Sequence, residues 1–370
     1  KISGVGIVGA GLMASQLALL FVRQLKVPVI LTDIDQERID KGVGYVHSEI
    51  DKLLGKKRLS PDAANRLKAL VSGSIDKSAF ANTDFVIEAV FENLDVKKKV
   101  FAEVEEFVSA ETILATNTSS LSITKMAADL KHPERVVGFH FFNPVAVLPL
   151  LEVVKGEKTD DATLATAFAT AKTLKKSAVL SADLPGFVFN RLVTRASNEI
   201  ISAIDEGTPF DVADGAVGEL GMPMSPLTLL ALVGPAVALH TAETLAEAYP
   251  ERFKDSAGFR ALVEAKKPGV WTYGPEGQVV DPEVAALWPQ GDSPSTAEQV
   301  LERTRNAFAD EIKIMLDEGV VAAAQDIDLC LLLGGGFGFW NGGITPYLDR
   351  SGASEAATGQ RFLAPGVASV

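Results

Sequence analysis

The first thirty-three residues narrow the possible folds more than any other part of the chain. Val5-Gly6-Ile7-Val8 is a short apolar run, followed at once by Gly9-Ala10-Gly11-Leu12-Met13-Ala14. A helical stretch, Ser15 to Leu25, leads to a second apolar run, Val27 to Thr32, which ends in Asp33. Continuous β-branched runs of this kind belong to parallel strands buried on both faces, so the start reads as a β-α-β unit. In Gly9-x-Gly11-x-x-Ala14 the glycines allow a tight turn and close approach of the backbone to a pyrophosphate, whose charge meets the helix N-terminus. Asp33 stands 22 residues after Gly11, where a carboxylate accepts hydrogen bonds from a ribose 2′-OH and repels a 2′-phosphate. The pattern predicts binding of NAD rather than NADP. The alternative is a Gly-rich turn in a β-α-β protein that holds no nucleotide.

Further short apolar runs follow at Phe85 to Glu88, Ile113 to Thr116, Val136 to Phe139, Leu150 to Val154 and Ala178 to Ser181, with helical patterns between most of them. Such alternation implies a doubly wound α/β sheet over residues 1–184. Pro185-Gly186 then punctuates the chain, and amphipathic helices replace strands. A first helical domain is expected over 185–265 and a linker rich in Pro, Gly and Asp over 266–295. A second helical domain is expected over 296–370.

The two helical domains repeat one another. At an offset of 112, Arg191 aligns with Arg303, Glu199 with Glu311 and Asp205-Glu206-Gly207 with Asp317-Glu318-Gly319, and Asp214 aligns with Asp326. The fold class expected is therefore a Rossmann sheet followed by a duplicated all-α C-terminal domain, with chance similarity between helix endings as the alternative.

Composition excludes several functions. Among 370 residues, 35 are basic and 48 acidic, a net charge of -13, which disfavours nucleic acid and anionic lipid surfaces. One cysteine, Cys330, rules out an internal disulfide and a thiolate-rich metal site and suits a reducing cytoplasm. The most apolar stretch, Leu227 to Ala242, is broken by Thr228, Gly234, Pro235 and His240, so no membrane span is expected and no metal is implied. The chain starts at Lys1, at the edge of a strand, and is expected to be a piece of a longer one.

Of the four histidines, His140 stands apart. It ends the strand that starts at Val136, and ligands gather at the carboxyl ends of strands in doubly wound sheets. Glu152 lies inside the apolar run Leu150 to Val154, where a carboxylate needs a partner. An imidazole on a neighbouring strand would satisfy it and leave the other ring nitrogen as a general base. A His–Glu pair with a purely structural role is the alternative. Asn117-Thr118-Ser119-Ser120 follows another strand and points hydroxyls at the same crevice, unless Ser119 or Ser120 merely caps the helix near Ile123. Asn190 opens the first helical domain, where it would meet that crevice, and its counterpart in the second copy is Glu302. Lys56-Lys57-Arg58 is a basic cluster that suits phosphates or is simply a solvated helix end.

Taken in order, Ala115 to Leu121, His140-Phe141-Phe142-Asn143-Pro144-Val145, Leu151-Glu152-Val153 and Pro185-Gly186-Phe187 to Asn190-Arg191 resemble the L-3-hydroxyacyl-CoA dehydrogenases, as does Glu88-Ala89-Val90-Phe91-Glu92-Asn93 with Lys97. The duplicated C-terminal part resembles the dehydrogenase portion of the multifunctional fatty-acid β-oxidation enzymes, without their enoyl-CoA hydratase domain. The resemblance implies NAD-dependent oxidation of an L-3-hydroxyacyl-CoA to a 3-oxoacyl-CoA. His140 would be the base and Glu152 its partner, with Ser119 and Asn190 on the substrate's reacting oxygen. The NAD contacts it implies are Gly9, Gly11, Leu12, Met13, Asp33, Ala89, Val90, Glu92, Lys97, Asn117, Ser119 and Asn143. It further implies an acyl-CoA thioester substrate, with a hydratase domain and a thiolase subunit as partners. Ala14-Ser15-Gln16 departs from the family's small, Gly-rich continuation. The competing readings are a free 3-hydroxyacid dehydrogenase, which would need a lysine base, and a catalytically weak scaffold subunit of an oxidation complex.

Overall fold

The computed structural model describes residues 1–275 and 277–367. The chain forms two compact units, one ending at Asp183 and the other starting at Leu184.

The first unit is built on eight strands: β1 (Val5–Val8), β2 (Val29–Thr32), β3 (Val71–Gly73), β4 (Phe85–Glu88), β5 (Ile113–Thr116), β6 (Val136–Phe141), β7 (Leu150–Lys155) and β8 (Ser177–Ala182). Their order is β3-β2-β1-β4-β5-β6-β7-β8. Neighbours run parallel except at β6 and β7, which are antiparallel. The helices are α1 (Leu12–Leu25), α2 (Gln36–Gly55), α3 (Pro61–Ala69), α4 (Leu94–Glu105), α5 (Ile123–Ala127) and α6 (Asp161–Thr173). Parallel neighbours need a crossover, whereas β6 and β7 need only the loop between them, and this is where the sheet reverses.

Side chains alternate across the sheet. Phe139 and Phe141 therefore share one face, packing with Phe21 and Phe85 in a cluster whose ring centroids lie 5.2–6.3 Å apart. His140 takes the opposite face. The core strands are buried along their whole length, as their unbroken apolar runs require. β6 extends to Phe141, one residue past His140, so His140 lies within the strand rather than at its end. The short β3 was not foreseen, because Val71-Ser72-Gly73 offers a single apolar residue.

The second unit is mainly helical. Its elements are α7 (Phe189–Asp205), α8 (Phe210–Gly215), α9 (Pro226–Val233), α10 (Pro235–Ala248), α11 (Ala257–Glu264), a hairpin of β9 (Trp271–Gly274) and β10 (Gly277–Val280), α12 (Pro282–Leu287), α13 (Ala297–Asp317), α14 (Ala324–Gly335), α15 (Ile344–Arg350) and α16 (Ala353–Thr358). Helices α7 and α13 pack against each other. Their ion pairs are reciprocal. Arg191 bonds Glu311 at 2.7 Å and Glu318 at 3.0 Å, and Arg303 bonds Glu199 at 3.2 Å and Glu206 at 2.6 Å. Each residue of one set is the partner of the other at an offset of 112, so the repeat is a pair of structurally exchanged copies.

One sequence alignment needs correction. Asp214 accepts from Leu227 N–H at 2.8 Å, at the start of α9. The residue doing the same at the start of α15 is Asp328, which accepts from Thr345 N–H at 2.8 Å, and Asp326 instead accepts from Ala323 N–H before α14. A fixed offset missed this because Asp328 lies 11 residues past the end of α13, whereas Asp214 lies 9 past the end of α7. The segment expected as a linker, 266–295, carries the hairpin and α12, and buries Trp288, whose indole donates to Asp205 at 2.7 Å. No single helix among the described residues is long and apolar enough to cross a membrane. The pair α9 and α10 passes that test only together and is bent by 106°.

Candidate active site

The turn between β1 and α1 has the shape its glycines predict. Gly9 adopts φ +113°, where an L side chain is strained, and a Cβ there would lie 2.9 Å from the Ala89 carbonyl oxygen. Gly11, the N-cap of α1, has nothing within 4 Å of where its Cβ would stand, and no side chain caps the helix. The 14-residue helix thus starts at a glycine with no side-chain cap, a fit for the pyrophosphate of a dinucleotide. Leu12 and Met13 start that helix, with Leu12 exposed. At the end of β2, Asp33 accepts from Ala10 N–H at 2.8 Å and from Ile34 N–H at 2.7 Å. It braces the glycine turn while keeping acceptor capacity for a ribose. The residues present thus fit NAD.

Beyond β4, a buried polar group holds the next loop. Lys97 on α4 is fully buried, and its ammonium donates at 2.8 Å to both carboxylate oxygens of Glu88, at 3.3 Å to Val90 O, and pairs with Glu92 at 3.4 Å. Glu88 also accepts from Thr116 Oγ1–H and from Val90 N–H. Glu92 accepts from Thr118 Oγ1–H and from Ser119 N–H at 3.0 Å. Burial pushes the Glu92 carboxyl up, but the Lys97 ammonium and the bonds from Thr118 and Ser119 outweigh it and hold the group below its ordinary range. Any part Lys97 takes in cofactor binding is thus exerted through Glu92 and the Val90 backbone. Ala89 and Val90 lie in the same loop.

On β5's extension, Asn117 N–H donates to Glu88 O at 3.0 Å and Asn117 Oδ1 accepts from Phe141 N–H at 2.9 Å, tying three strand ends together. Ser122, not Ser119 or Ser120, caps α5, and Asp183 accepts from the helix's first N–H groups. The capping alternative for Ser119 and Ser120 is therefore removed.

His140 and Glu152 are register partners across β6 and β7, with Nδ1 and Oε2 3.4 Å apart. Glu152 is fully buried and His140 nearly so, with Phe142's ring centroid 4.4 Å from the imidazole's. Donation from Nδ1 to the carboxylate would leave Nε2 as the basic nitrogen. Asn143 starts the loop joining β6 to β7. Gln16, the departure noted in the fingerprint, donates to Asn143 Oδ1 at 3.2 Å and accepts from Val145 N–H at 2.9 Å, and so ties that loop to α1. Lys176 supports the loop from beneath, donating to the Val145 and Leu148 carbonyls, and burial pushes its ammonium below its ordinary range.

Gln16, Glu88 and Thr116 escaped the sequence reading. Glu88 carried a signal, since it ends an apolar strand as conspicuously as Glu152 sits within one; Gln16 showed only as a departure from the fingerprint, and Thr116 carried none. Asn190 belongs to the second unit, in the first turn of α7, beside the buried Arg191. Lys56, Lys57 and Arg58 are exposed just after α2, and none makes an ion pair among the described residues.

Residues 4–184 match the family model described as "3-hydroxyacyl-CoA dehydrogenase, NAD binding domain", and residues 186–273 match the family's C-terminal domain. The chain belongs to the 3-hydroxyacyl-CoA dehydrogenase family. It is thus an NAD-dependent oxidoreductase by family. The solved (S)-3-hydroxybutyryl-CoA dehydrogenase of Ralstonia eutropha is 34% identical, with a TM-score of 0.67, covering 72% of this chain and 95% of that one. The 3-hydroxybutyryl-CoA dehydrogenase of Escherichia coli shares the fold over 100% of this chain and 98% of its own, at 24% identity and a TM-score of 0.79. The fatty acid oxidation complex subunit alpha of Acinetobacter baumannii strain SDF is 32% identical over 366 residues. That match takes in 94% of this dehydrogenase-family chain, which spans about half, 51%, of the relative's length.

Proposed function

We propose that the protein oxidises the C3 hydroxyl of an L-3-hydroxyacyl-CoA to a ketone, with His140 as general base. The observation that carries the reading is the buried His140–Glu152 pair at the carboxyl end of β6, beside an open helix N-terminus suited to a dinucleotide. NAD held by Gly9, Gly11, Asp33 and the Ala89–Glu92 loop supplies the hydride acceptor. His140 takes the hydroxyl proton at Nε2, and Glu152 at Nδ1 stabilises the imidazolium that results. Ser119, oriented through its backbone by Glu92, and Asn190 are assigned to the reacting oxygen. Asn143, held by Gln16, is assigned to the nicotinamide side. Base catalysis of this kind contributes about 10²–10⁴ in rate.

The relatives named as fatty acid oxidation subunits support placing the reaction in β-oxidation, with hydratase and thiolase activities as partners. The single cysteine, buried Cys330, supports a cytoplasmic setting. The test is NADH consumption with acetoacetyl-CoA by wild type and His140→Gln. Turnover lost by about 10²-fold or more, with NADH binding retained, is expected. An unchanged rate in the variant would remove His140 from the mechanism, and an inactive wild type would leave the scaffold reading.

A further inference from the structure

On the first unit, α1, α2, the β6–β7 loop and the turn from α6 to β8 border a cleft of about 540 Å³, and every residue lining it precedes Asp183. That volume falls within the roughly 300–1,000 Å³ of small-molecule sites. The sequence of α1 shapes it. Ala14, Leu17, Ala18 and Phe21 are buried in the core, while Gln16, Leu20, Arg23 and Gln24 form a second stripe at helical spacing that lines the cleft. Tyr45 and Glu49 on α2 are one turn apart and extend the lining. The loop and the turn contribute Val145, Val147, Leu174, Lys175 and Lys176.

The polar groups of this cleft are unbalanced. The side chains of Arg23, Gln24 and Tyr45 are half-buried and make no hydrogen bond or ion pair among the described residues, and Lys175 has no carboxylate partner there either. Lys176 is committed to the Val145 and Leu148 carbonyls. The single carboxylate in the lining, Glu49, is paired with Lys52 at 2.5 Å. A guanidinium, a phenol and an ammonium thus converge as donors without an acceptor, in a chain whose net charge is -13. Beside them the lining is apolar, and Val147 is 71% exposed. Such a set matches a ligand that brings its own negative oxygens on an aliphatic body: the planar Arg23 fork suits a carboxylate or a phosphate.

We propose that this cleft is a regulatory site for an amphiphile with an oxyanion head and an aliphatic body, and that its occupancy tightens binding of NADH. Arg23 and Tyr45 hold the head, Lys175 adds charge, and the body covers Leu20, Val147 and Leu174. The link to the cofactor is Gln16. It lines the cleft, donates to Asn143 Oδ1 at 3.2 Å and accepts from Val145 N–H at 2.9 Å. A ligand packed against Val145 and Val147 restrains the loop that carries Asn143, so NADH meets a loop already ordered. Coupling of this kind is reciprocal, and NADH must tighten the amphiphile by the same factor. The coupling rests on the assignment of Asn143 to the nicotinamide side; the site itself does not.

The experiment titrates octanoate and octyl phosphate into the protein by calorimetry, with and without NADH, beside octyltrimethylammonium and inorganic phosphate. One or both anionic amphiphiles should bind, the tighter naming the head group, and the cation and the tail-less anion should bind about tenfold or more weakly. Arg23→Gln should weaken the amphiphile by about tenfold or more. Lys175→Asn, which suits the backbone at φ +60°, should weaken it by about two- to fivefold. Saturating amphiphile should lower the Kd of NADH by about fivefold or more in the wild type. Gln16→Ala should keep amphiphile binding and lose that effect. Equal binding of the octyl cation, or an unaltered affinity in folded Arg23→Gln and Lys175→Asn, overturns the site. Binding that leaves the Kd of NADH unchanged overturns the coupling. None of these readouts needs turnover, so an enzyme inactive toward acyl-CoA thioesters overturns the His140 reading and leaves this test intact.

Discussion

His140 and Glu152 face each other across the one antiparallel junction in an otherwise parallel run of neighbours. The reversal matters because parallel pairs have slanted hydrogen bonds, whereas antiparallel register sets two residues directly opposite, with Cβ atoms about 4.5–5.5 Å apart. A carboxylate and an imidazole at that separation reach each other with little freedom to do otherwise. The strand reversal thus places the pair, and the apolar residues flanking Glu152 keep water from competing for it.

Glu152→Gln tests what the carboxylate contributes. The amide preserves volume, but its charge no longer balances an imidazolium, and its NH₂ group can turn toward Nδ1 and favour the wrong tautomer. A fall in kcat of about 10²-fold or more is expected, with NADH affinity nearly unchanged. A purely structural residue would alter stability but not the pH profile of kcat/KM. For hydroxyl oxidation the acidic limb should move, because the charge partner of the base has gone. An unshifted limb with normal kcat would leave Glu152 a packing residue.

Asp33 offers a second test, at the cofactor end. Its carboxylate lies 3.9 Å from the Arg38 guanidinium, which is largely exposed. With the acid in place, a 2′-phosphate is repelled; without it, Arg38 is positioned to receive one. Asp33→Ser should therefore cut the ratio of NADH to NADPH kcat/KM by about 10²-fold, chiefly through KM. Loss of both cofactors together would instead show that Asp33 acts mainly by bracing Ala10 and the glycine turn.

Much of this is legible in the sequence itself. The glycine turn, Asp33 and the strand carrying His140 follow from local patterns that physical chemistry ties to one backbone geometry. Glu152 stood out because a lone acid in an apolar strand demands a partner. The partner's register did not, since strand direction is set by loop length and sheet order rather than by the strand's own residues. Lys97 drew notice as a cofactor contact, yet its fixed place beneath Glu88 and Glu92 depends on how α4 packs. Gln16 was readable only as a departure; what it holds lies 127 residues away at Asn143. The linker expectation rested on Pro, Gly and Asp content, which cannot reveal that Trp288 anchors that segment to Asp205.

The reciprocal ion pairs of α7 and α13 are equivalent in sequence but not in surroundings. Arg191 and Glu311 are both fully buried, and Arg191 also lies over the Tyr249 ring, 4.6 Å from its centroid. Arg303 is a quarter exposed, and Glu206 more so. Arg191→Met leaves Glu311 with the remaining cations Arg252 and Arg195 and should cost about 3–5 kcal/mol, the usual penalty for breaking a buried pair. Arg303→Met, whose partners can take up water, should cost about 1 kcal/mol or less. Urea unfolding of both variants decides the matter. Equal losses would mean that burial does not distinguish the two copies.

The last prediction concerns Asp328. Burial pushes its carboxyl up to about 6 from the ordinary 3.8, against the lowering effect of the bonds from Thr345, and the nearby Asp349 adds to the rise. Between pH 4 and 6 the folded protein retains a proton that the unfolded chain releases. The stability associated with that proton is complete below the unfolded value and is withdrawn as pH climbs through the folded one. A shift of this size corresponds to about 2–3 kcal/mol. Asp328→Asn keeps an acceptor for Thr345 N–H but does not ionise, so its stability lacks this loss. Urea unfolding at pH 4, 5, 6 and 7 should show the variant gaining on wild type by about 2–3 kcal/mol across the range, most steeply near pH 5, midway between the unfolded and folded values. Carboxylates other than the coupled Asp349 titrate alike in both proteins and cancel in the difference. Parallel curves would place Asp328 at its ordinary acidity, with its hydrogen bonds from Thr345 compensating fully for burial.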